Sequence, residues 1–128
     1  MPDYKKLANA HLKEAKRKLE RAEKLYNDDY YDEAAHDAYY SMYHAAKVLL
    51  ALKESQPKTH RGVISEIQNL YVKSRLLGQD LASSLSRGLQ IRVQSDYDTM
   101  IEISNEVAKE VIDDAKKFLS EVERLIGN

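Results

Sequence analysis

The sequence has 128 residues, of which 43% are hydrophobic and 32% charged, and this composition predicts one globular domain over residues 1–128. With a formal net charge of -1, the chain lacks the strongly basic character typical of many nucleic-acid-binding domains. This net charge still allows a local basic patch. The absence of cysteine excludes disulfides and cysteine-ligated metals, and no stretch has the roughly 18 apolar residues that a membrane span requires. We therefore expect a soluble, cytoplasmic protein.

Apolar residues recur with a helical period along nearly the whole chain, which predicts an all-α fold. The first helix is predicted over about residues 3–27 and the second over about residues 31–54. The segment "NDD" at 27–29 is predicted to break the first helix and to cap the second. Short connections favour antiparallel neighbours, so we expect an up-and-down bundle of four to five helices.

The second half of the chain contains the remaining predicted helices. Pro57 indicates a loop, and Thr59 is a plausible N-cap for a third helix over about residues 60–73. A fourth helix is predicted over about residues 81–95, followed by a less regular stretch. Ser104 then opens the last helix, which continues to about residue 126.

The fourth predicted helix has an arginine on its apolar side. At about 100° per residue, one sector of this helix contains Leu81, Leu85, Gly88, Arg92 and Asp96. An arginine keeps its charge at any ordinary pH, so one that faces inward needs an acidic partner or an anionic ligand. Two interpretations stay open: Arg92 and Asp96 form a structural pair four residues apart, or Arg92 meets a ligand beside Gly88.

The second predicted helix has a strip of hydrogen-bonding and titratable groups beside its apolar face, made up of Glu33, Asp37, Tyr40, Ser41 and His44. A serine-hydrolase triad within this strip is disfavoured, because a regular helix lacks the strained turn and the oxyanion donors that acyl transfer needs. The spacing of the histidines and carboxylates matches no metal-binding pattern, so we predict no metal site and no cofactor. His11, on the apolar stripe of the first helix, is predicted to be a core histidine.

The loop "SQPKTHRG" concentrates Lys58, His60 and Arg61 before a helix N-terminus. Free backbone N–H groups and the helix dipole make such an end suitable for phosphate, and an ordinary solvated loop is the alternative. The sequence also has nine tyrosines, two pairs of which lie at 30–31 and 39–40. Their rings can pack at an oligomer interface or stack on bases, and packing is the favoured interpretation.

Three segments, "DAYYSMYHAAKVLL", "KTHRGVI" and "RVQSDYD", occur in this order across the helical chain. Together they resemble the small stand-alone HEPN-domain proteins of bacteria and archaea, which are often encoded beside a minimal nucleotidyltransferase. The resemblance covers roughly residues 19–126 and implies a four- to five-helix bundle that forms a homodimer. In the wider superfamily, an arginine followed four to six residues later by histidine forms a metal-independent ribonuclease site in a cleft between two subunits.

Under this resemblance Arg92 matches the motif arginine, but Asp96 and Tyr97 occupy the place of the histidine. Cleavage of RNA without metal needs a general base and a general acid. A tyrosine is a poor base, and a neighbouring arginine lowers the pKa of an aspartate. The candidate catalytic residues are therefore Arg92, Asp96 and Tyr97, with His60 or His44 supplying the imidazole if the fold brings it near Arg92.

The resemblance implies a toxin-antitoxin-like pair with a nucleotidyltransferase, in which this chain binds nucleotide or RNA phosphate in the dimer cleft. The candidate phosphate-binding residues are Arg92, Lys58, His60, Arg61, Tyr40, His44 and Asp37. Binding is expected rather than cleavage, since the motif histidine is missing, and metal-independent ribonuclease activity stays open. The alternative is a non-catalytic structural or protein-interaction module in which Arg92 and Asp96 form a buried pair.

Overall fold

The computed structural model describes residues 2–98 and 100–127, which form five α-helices and no strand. The helices are α1 (Tyr4–Asn27), α2 (Tyr31–Leu52), α3 (His60–Ile67), α4 (Gln79–Tyr97) and α5 (Asn105–Leu125). The predicted all-α bundle is confirmed. Within the described ranges, no helix combines the length and the apolar character needed to cross a lipid bilayer.

Two of the predicted helix starts are set by local capping. The Thr59 side chain accepts a hydrogen bond of 2.9 Å from the backbone N–H of Gly62 and opens α3. Ser104 accepts one of 3.2 Å from the N–H of Val107 and opens α5. Each hydroxyl satisfies one of the backbone donors that the first helical turn leaves free, and both starts are confirmed.

Other helix boundaries differ from the prediction. The segment 27–29 does not cap α2, since its N-cap is Tyr30, which forms no side-chain capping bond. Asp28 instead ends α1, and Asp29 turns the chain with a φ of 66°. The third predicted helix ends early and continues as a π-helical turn, Gln68–Val72, which buries Tyr71.

α2 is the central helix and packs against all four others. Its contact with α1 is close because α1 presents an alanine seam, which consists of Ala8, Ala15 and Ala22 at seven-residue intervals, each at most 4% exposed. Small side chains let two helices approach each other, and a seven-residue repeat keeps them on one face. The Ser41 hydroxyl donates a buried hydrogen bond of 2.8 Å to the Ala15 carbonyl across this contact.

Gly88 has a packing role between α4 and α2. A Cβ atom at this position would lie 3.0 Å from Cδ1 of Tyr39 and 3.1 Å from Cε of Met42, both of which are fully buried. The space beside Gly88 is therefore filled by side chains of α2. This close contact holds α4 against α2 one turn before Arg92.

Candidate functional site

Arg92 lies at the surface, with its side chain 28% exposed. Its Nε atom is 3.4 Å from the carboxylate of Asp96, whose side chain is 45% exposed. The intrahelical pair therefore exists, but it is not buried as the alternative of a structural module requires. The physical reason is that burial fades along α4, from fully buried Leu85 to Tyr97, which is 88% exposed. A surface pair of this kind contributes only a few tenths of a kcal/mol.

The guanidinium of Arg92 lies against α2. Its central carbon is 5.2 Å from the centroid of the Tyr40 ring, which is within the range of a cation–π contact. The His60 ring meets the same Tyr40 ring at 5.8 Å, edge to face, and stacks on Tyr43 at 4.3 Å. The fold therefore brings His60 close to Arg92. We call Arg92, Tyr40, Tyr43 and His60 the ring surface.

Local structure fixes the position of His60. It is the first residue of α3, and the Thr59 cap directs the chain into the helix at that point. The start is tight, because a Cβ atom on Gly62 would lie 2.9 Å from Oγ1 of Thr59. Nδ1 of His60 and the hydroxyl of Tyr39 share a hydrogen bond of 2.6 Å, which anchors the imidazole to α2.

The electrostatic environment keeps His60 neutral near pH 7. Burial lowers the pKa of its imidazole below the ordinary value, and the positive charges of Arg92 and Lys47 lower it further. Burial also raises the pKa of Tyr39, so its hydroxyl stays protonated. With both partners neutral, His60 is able to take up a proton at one ring nitrogen, which is the property that a general base needs.

Asp37 pairs with two basic residues of α1. Its side chain is buried, and its carboxylate lies 2.7 Å from Nε of Arg21 and 3.8 Å from Nζ of Lys18. Lys18 Nζ in turn lies 5.8 Å from the Tyr40 ring centroid. Because two cations occupy its carboxylate, Asp37 positions Lys18 beside the ring surface.

His44 faces α1 and not Arg92. Its Nδ1 atom lies 3.0 Å from Nδ1 of His11, and its ring centroid lies 5.5 Å from that of Tyr43. Burial, followed by the neighbouring His11, lowers the pKa of His44 to about 4, and burial also lowers the pKa of His11. The two rings therefore form a neutral pair in which one Nδ1 donates and the other accepts. The prediction that His11 is a core histidine is wrong, because its side chain is only part-buried and lines a groove next to α1 and α2.

Because the His11–His44 pair is neutral in the folded chain, we expect the fold to lose stability in acid. The unfolded chain protonates His44 near its ordinary pKa of 6.5, whereas the folded chain does so only near 4. The contribution of the neutral histidine pair to the free energy of unfolding is therefore complete above pH 6.5 and is lost as the pH falls towards 4. We expect a decrease in the free energy of unfolding on the order of 1 kcal/mol between about pH 7 and about pH 5, measured by urea denaturation. His44→Gln should make this dependence shallower, and an equally steep dependence in that variant would contradict the assignment.

The loop cluster predicted for phosphate does not converge on one site. Arg61 lines a groove between α3 and α4, together with Leu89 and Val93. Lys58 lines a different groove, next to α1 and α2. Only His60 of this loop joins the ring surface, because Lys58 precedes α3 and Arg61 points about 100° away from His60 on the helix. Tyr97 projects into solvent from the end of α4 and contacts none of these rings.

Three residues next to Arg92 and His60 were not predicted from the sequence. Tyr43 stacks on His60, and the amines of Lys18 and Lys47 lie over the rings of Tyr40 and Tyr43. Tyr40, Tyr43 and Lys47 share one face of α2 at spacings of three and four residues, so a wheel of α2 contains this signal. Lys18 lies on another helix, and its position depends on how α1 packs against α2.

Comparison with known proteins identifies the family. The sequence model of the HEPN domain family matches residues 8–125 of this chain. A protein of Methanocaldococcus jannaschii named "Putative toxin" is 32% identical over 123 residues, which are 96% of this chain and 84% of that protein. A UPF0332 protein of Archaeoglobus fulgidus is 31% identical over 116 residues, which are 91% of this chain and 92% of that protein. The helical bundle and the match over nearly its whole length show that the chain belongs to the HEPN-domain family.

Proposed function

We propose that this HEPN protein acts as a toxin-like component that binds the phosphate of RNA or of a nucleotide through Arg92. The observation that carries the proposal is the guanidinium of Arg92, 5.2 Å from the Tyr40 ring centroid, with His60 against the same ring. A fixed cation beside aromatic rings suits a nucleotide, because the phosphate pairs with the charge and the base stacks on a ring. The toxin name of a relative supports the toxin-like role.

Arg92 is suited to exchange its partner for a phosphate. Its Asp96 partner is 45% exposed, so solvent already weakens their attraction. A guanidinium has five N–H donors, and it binds phosphate through two parallel hydrogen bonds. Lys18, held nearby by Asp37, adds a second positive charge at the Tyr40 ring.

The direct test is a binding titration. Fluorescently labelled single-stranded RNA of about 12 nucleotides, a length that single-strand sites span, is titrated with the protein at low salt. Saturable binding that weakens as the salt concentration rises, measured by fluorescence anisotropy, supports the proposal. The absence of binding to this RNA and to a mononucleotide would contradict it.

Metal-independent cleavage of RNA is a second candidate function, and the specific observation that favours it is the neutral imidazole of His60 near Arg92. His60 would accept the proton of a 2′-hydroxyl, whose oxygen then attacks the adjacent phosphorus while the 5′-oxygen leaves with a proton from an acid. Arg92 would stabilise the charge on the phosphate. Solvent water would supply the proton to the leaving 5′-oxygen, because the lowered pKa of His60 keeps the imidazole neutral near pH 7.

Cleavage by this route predicts a distinctive dependence on His60. In EDTA, the rate of RNA cleavage should rise with pH through a pKa below 6.5 and then level off, because His60 must be neutral and its pKa is lowered. His60→Ala should abolish product formation, and His44→Gln, which removes a histidine outside the ring surface, should not. Gel analysis of the products provides the measurement. Equal cleavage by His60→Ala and the wild-type chain would exclude His60 as the base.

We further propose a homodimer that works with a minimal nucleotidyltransferase partner in the cytoplasm. Support comes from the exposed apolar side chains at and after the end of α4, where Tyr97 is 88% exposed, Met100 87% and Ile101 44%. Apolar side chains grouped at a surface are typical of protein contacts. The alternative of a purely structural module is less well supported, because Arg92 and Asp96 are both accessible to solvent.

A further inference from the structure

A second basic feature lies next to the ring surface. It is a groove of about 430 Å³ between α1, α2 and the loop that precedes α3, with a lining that includes Lys47, Lys58, His11, Ser55 and Gln56. Its volume falls in the range of small-ligand sites. No carboxylate belongs to this lining, so the groove presents positive charge and hydrogen-bonding groups together. We call it the lysine groove.

The two lysine amines in the groove are available to a ligand. Within residues 2–98 and 100–127, neither Lys47 nor Lys58 forms an ion pair, whereas Lys16, Lys18 and Lys24 of α1 each contact a carboxylate. Two amines in a groove free of carboxylates attract anions.

The nearby carboxylates have partners of their own. Glu66 accepts a hydrogen bond of 2.9 Å from the Ser55 hydroxyl at the groove edge. Glu14 lies near His11 and is paired with Arg17. Arg17 offsets the charge of Glu14, whereas Glu66 keeps its negative charge at the groove edge but forms no ion pair with Lys47 or Lys58.

The lysine groove is continuous with the ring surface. Nζ of Lys47 lies 5.0 Å from the Tyr43 ring centroid, and Tyr43 stacks on His60. His60 thus has two cations nearby, Arg92 and Lys47, and both lower its pKa. Along α2, Tyr40 and Lys47 are two helical turns apart, about 10 Å. The sequence of contacts runs from cation to rings to cation, which matches the alternation of phosphates and bases in a single strand.

We propose that the lysine groove is a second anion subsite, which takes a neighbouring phosphodiester of a single-stranded RNA whose first phosphate is bound by Arg92. This inference rests on the proposed function, because it extends the same site. The ligand class is a chain of nucleotides and not a mononucleotide, since one phosphate at Arg92 leaves the groove empty. The nucleoside between the two phosphates lies against the rings of Tyr40 and Tyr43.

The test compares two double variants and two ligands. Lys47→Ala with Lys58→Ala should weaken binding of an oligouridylate of about 12 nucleotides by about tenfold. It should also reduce the slope of log K against log salt by about 0.7, the value for one lost phosphate contact on a single strand. Binding of uridine 5′-monophosphate should not change. The control, Lys109→Ala with Lys117→Ala, removes the same charge from α5 and should leave both affinities unchanged.

The outcomes separate the inference from the function on which it depends. If the Lys47 and Lys58 variant binds the oligonucleotide with wild-type affinity and salt slope, the inference is overturned while binding at Arg92 stands. If that variant also binds uridine 5′-monophosphate more weakly than the wild type does, the two ligands share one site and there is no second subsite. If the wild-type chain binds neither ligand, the proposed function itself fails. Circular dichroism of each variant verifies that the helices remain intact.

Discussion

Replacing Arg92 with alanine will weaken binding of single-stranded RNA by about ten- to a hundredfold, because the charged hydrogen bonds of a guanidinium to a phosphate contribute roughly 1.5–3 kcal/mol. The fold will remain stable, since the Arg92 and Asp96 side chains are 28% and 45% exposed and their pair contributes less than about 1 kcal/mol. Fluorescence anisotropy measures the affinity, urea denaturation the stability, and sedimentation the oligomeric state.

A matched control lies on the same helix. Arg87 has the same charge but is 2.9 Å from the carboxylate of Asp114 on α5, away from the rings. Arg87→Ala should therefore leave RNA binding unchanged. If Arg92→Ala instead unfolds the chain or breaks a dimer, Arg92 has a structural role. If binding, stability and oligomeric state are all unaltered, both interpretations of Arg92 fail.

Gly88→Leu will destabilise the fold by about 1–3 kcal/mol, the usual effect of overpacking a buried contact. Even a Cβ atom would lie 3.0 Å from the fully buried Tyr39 ring, so a leucine has to displace α4 from α2. RNA binding should weaken as well, because Arg92 is one turn further along α4 and would move away from Tyr40. The midpoint of urea denaturation and the binding titration measure the two effects.

Ser86→Leu is the control for Gly88, since Ser86 is exposed on the same helix. A leucine there should change the free energy of unfolding by no more than about 0.5 kcal/mol, as is usual for surface positions. A Gly88→Leu protein as stable as the wild type would show that the α2–α4 contact is not tightly packed.

The bundle could be predicted from the sequence because its signals are local. Helical periodicity and a capping hydroxyl depend on neighbours within one or two turns, as at Thr59 and Ser104. The exposure of Arg92 could not be predicted in this way. A helical wheel places it in a sector with Leu85, but it does not tell how far the neighbouring helices extend along α4.

The candidate site was predictable only in part, because its members come from three helices. The sequence offered both His60 and His44 as sources of an imidazole near Arg92. Packing separates them, since His60 contacts Tyr40 whereas His44 contacts His11. The residues Lys58 and Arg61 stand close in sequence but line different grooves. Such divergence depends on the direction in which α3 leaves its loop.

The alanine seam of α1 has a consequence for how this surface can change in evolution. Ala8, Ala15 and Ala22, with the bond from Ser41 to the Ala15 carbonyl, fix the height of α1 along α2. A slip by one helical turn would move Lys18 by about 5.4 Å from Tyr40. The distance between Lys18 and the ring surface therefore depends on buried alanine side chains that lie outside the ring surface. Exposed lysines can be substituted to suit a new ligand. The three alanines must stay small, because a larger side chain in the seam would shift α1 relative to α2.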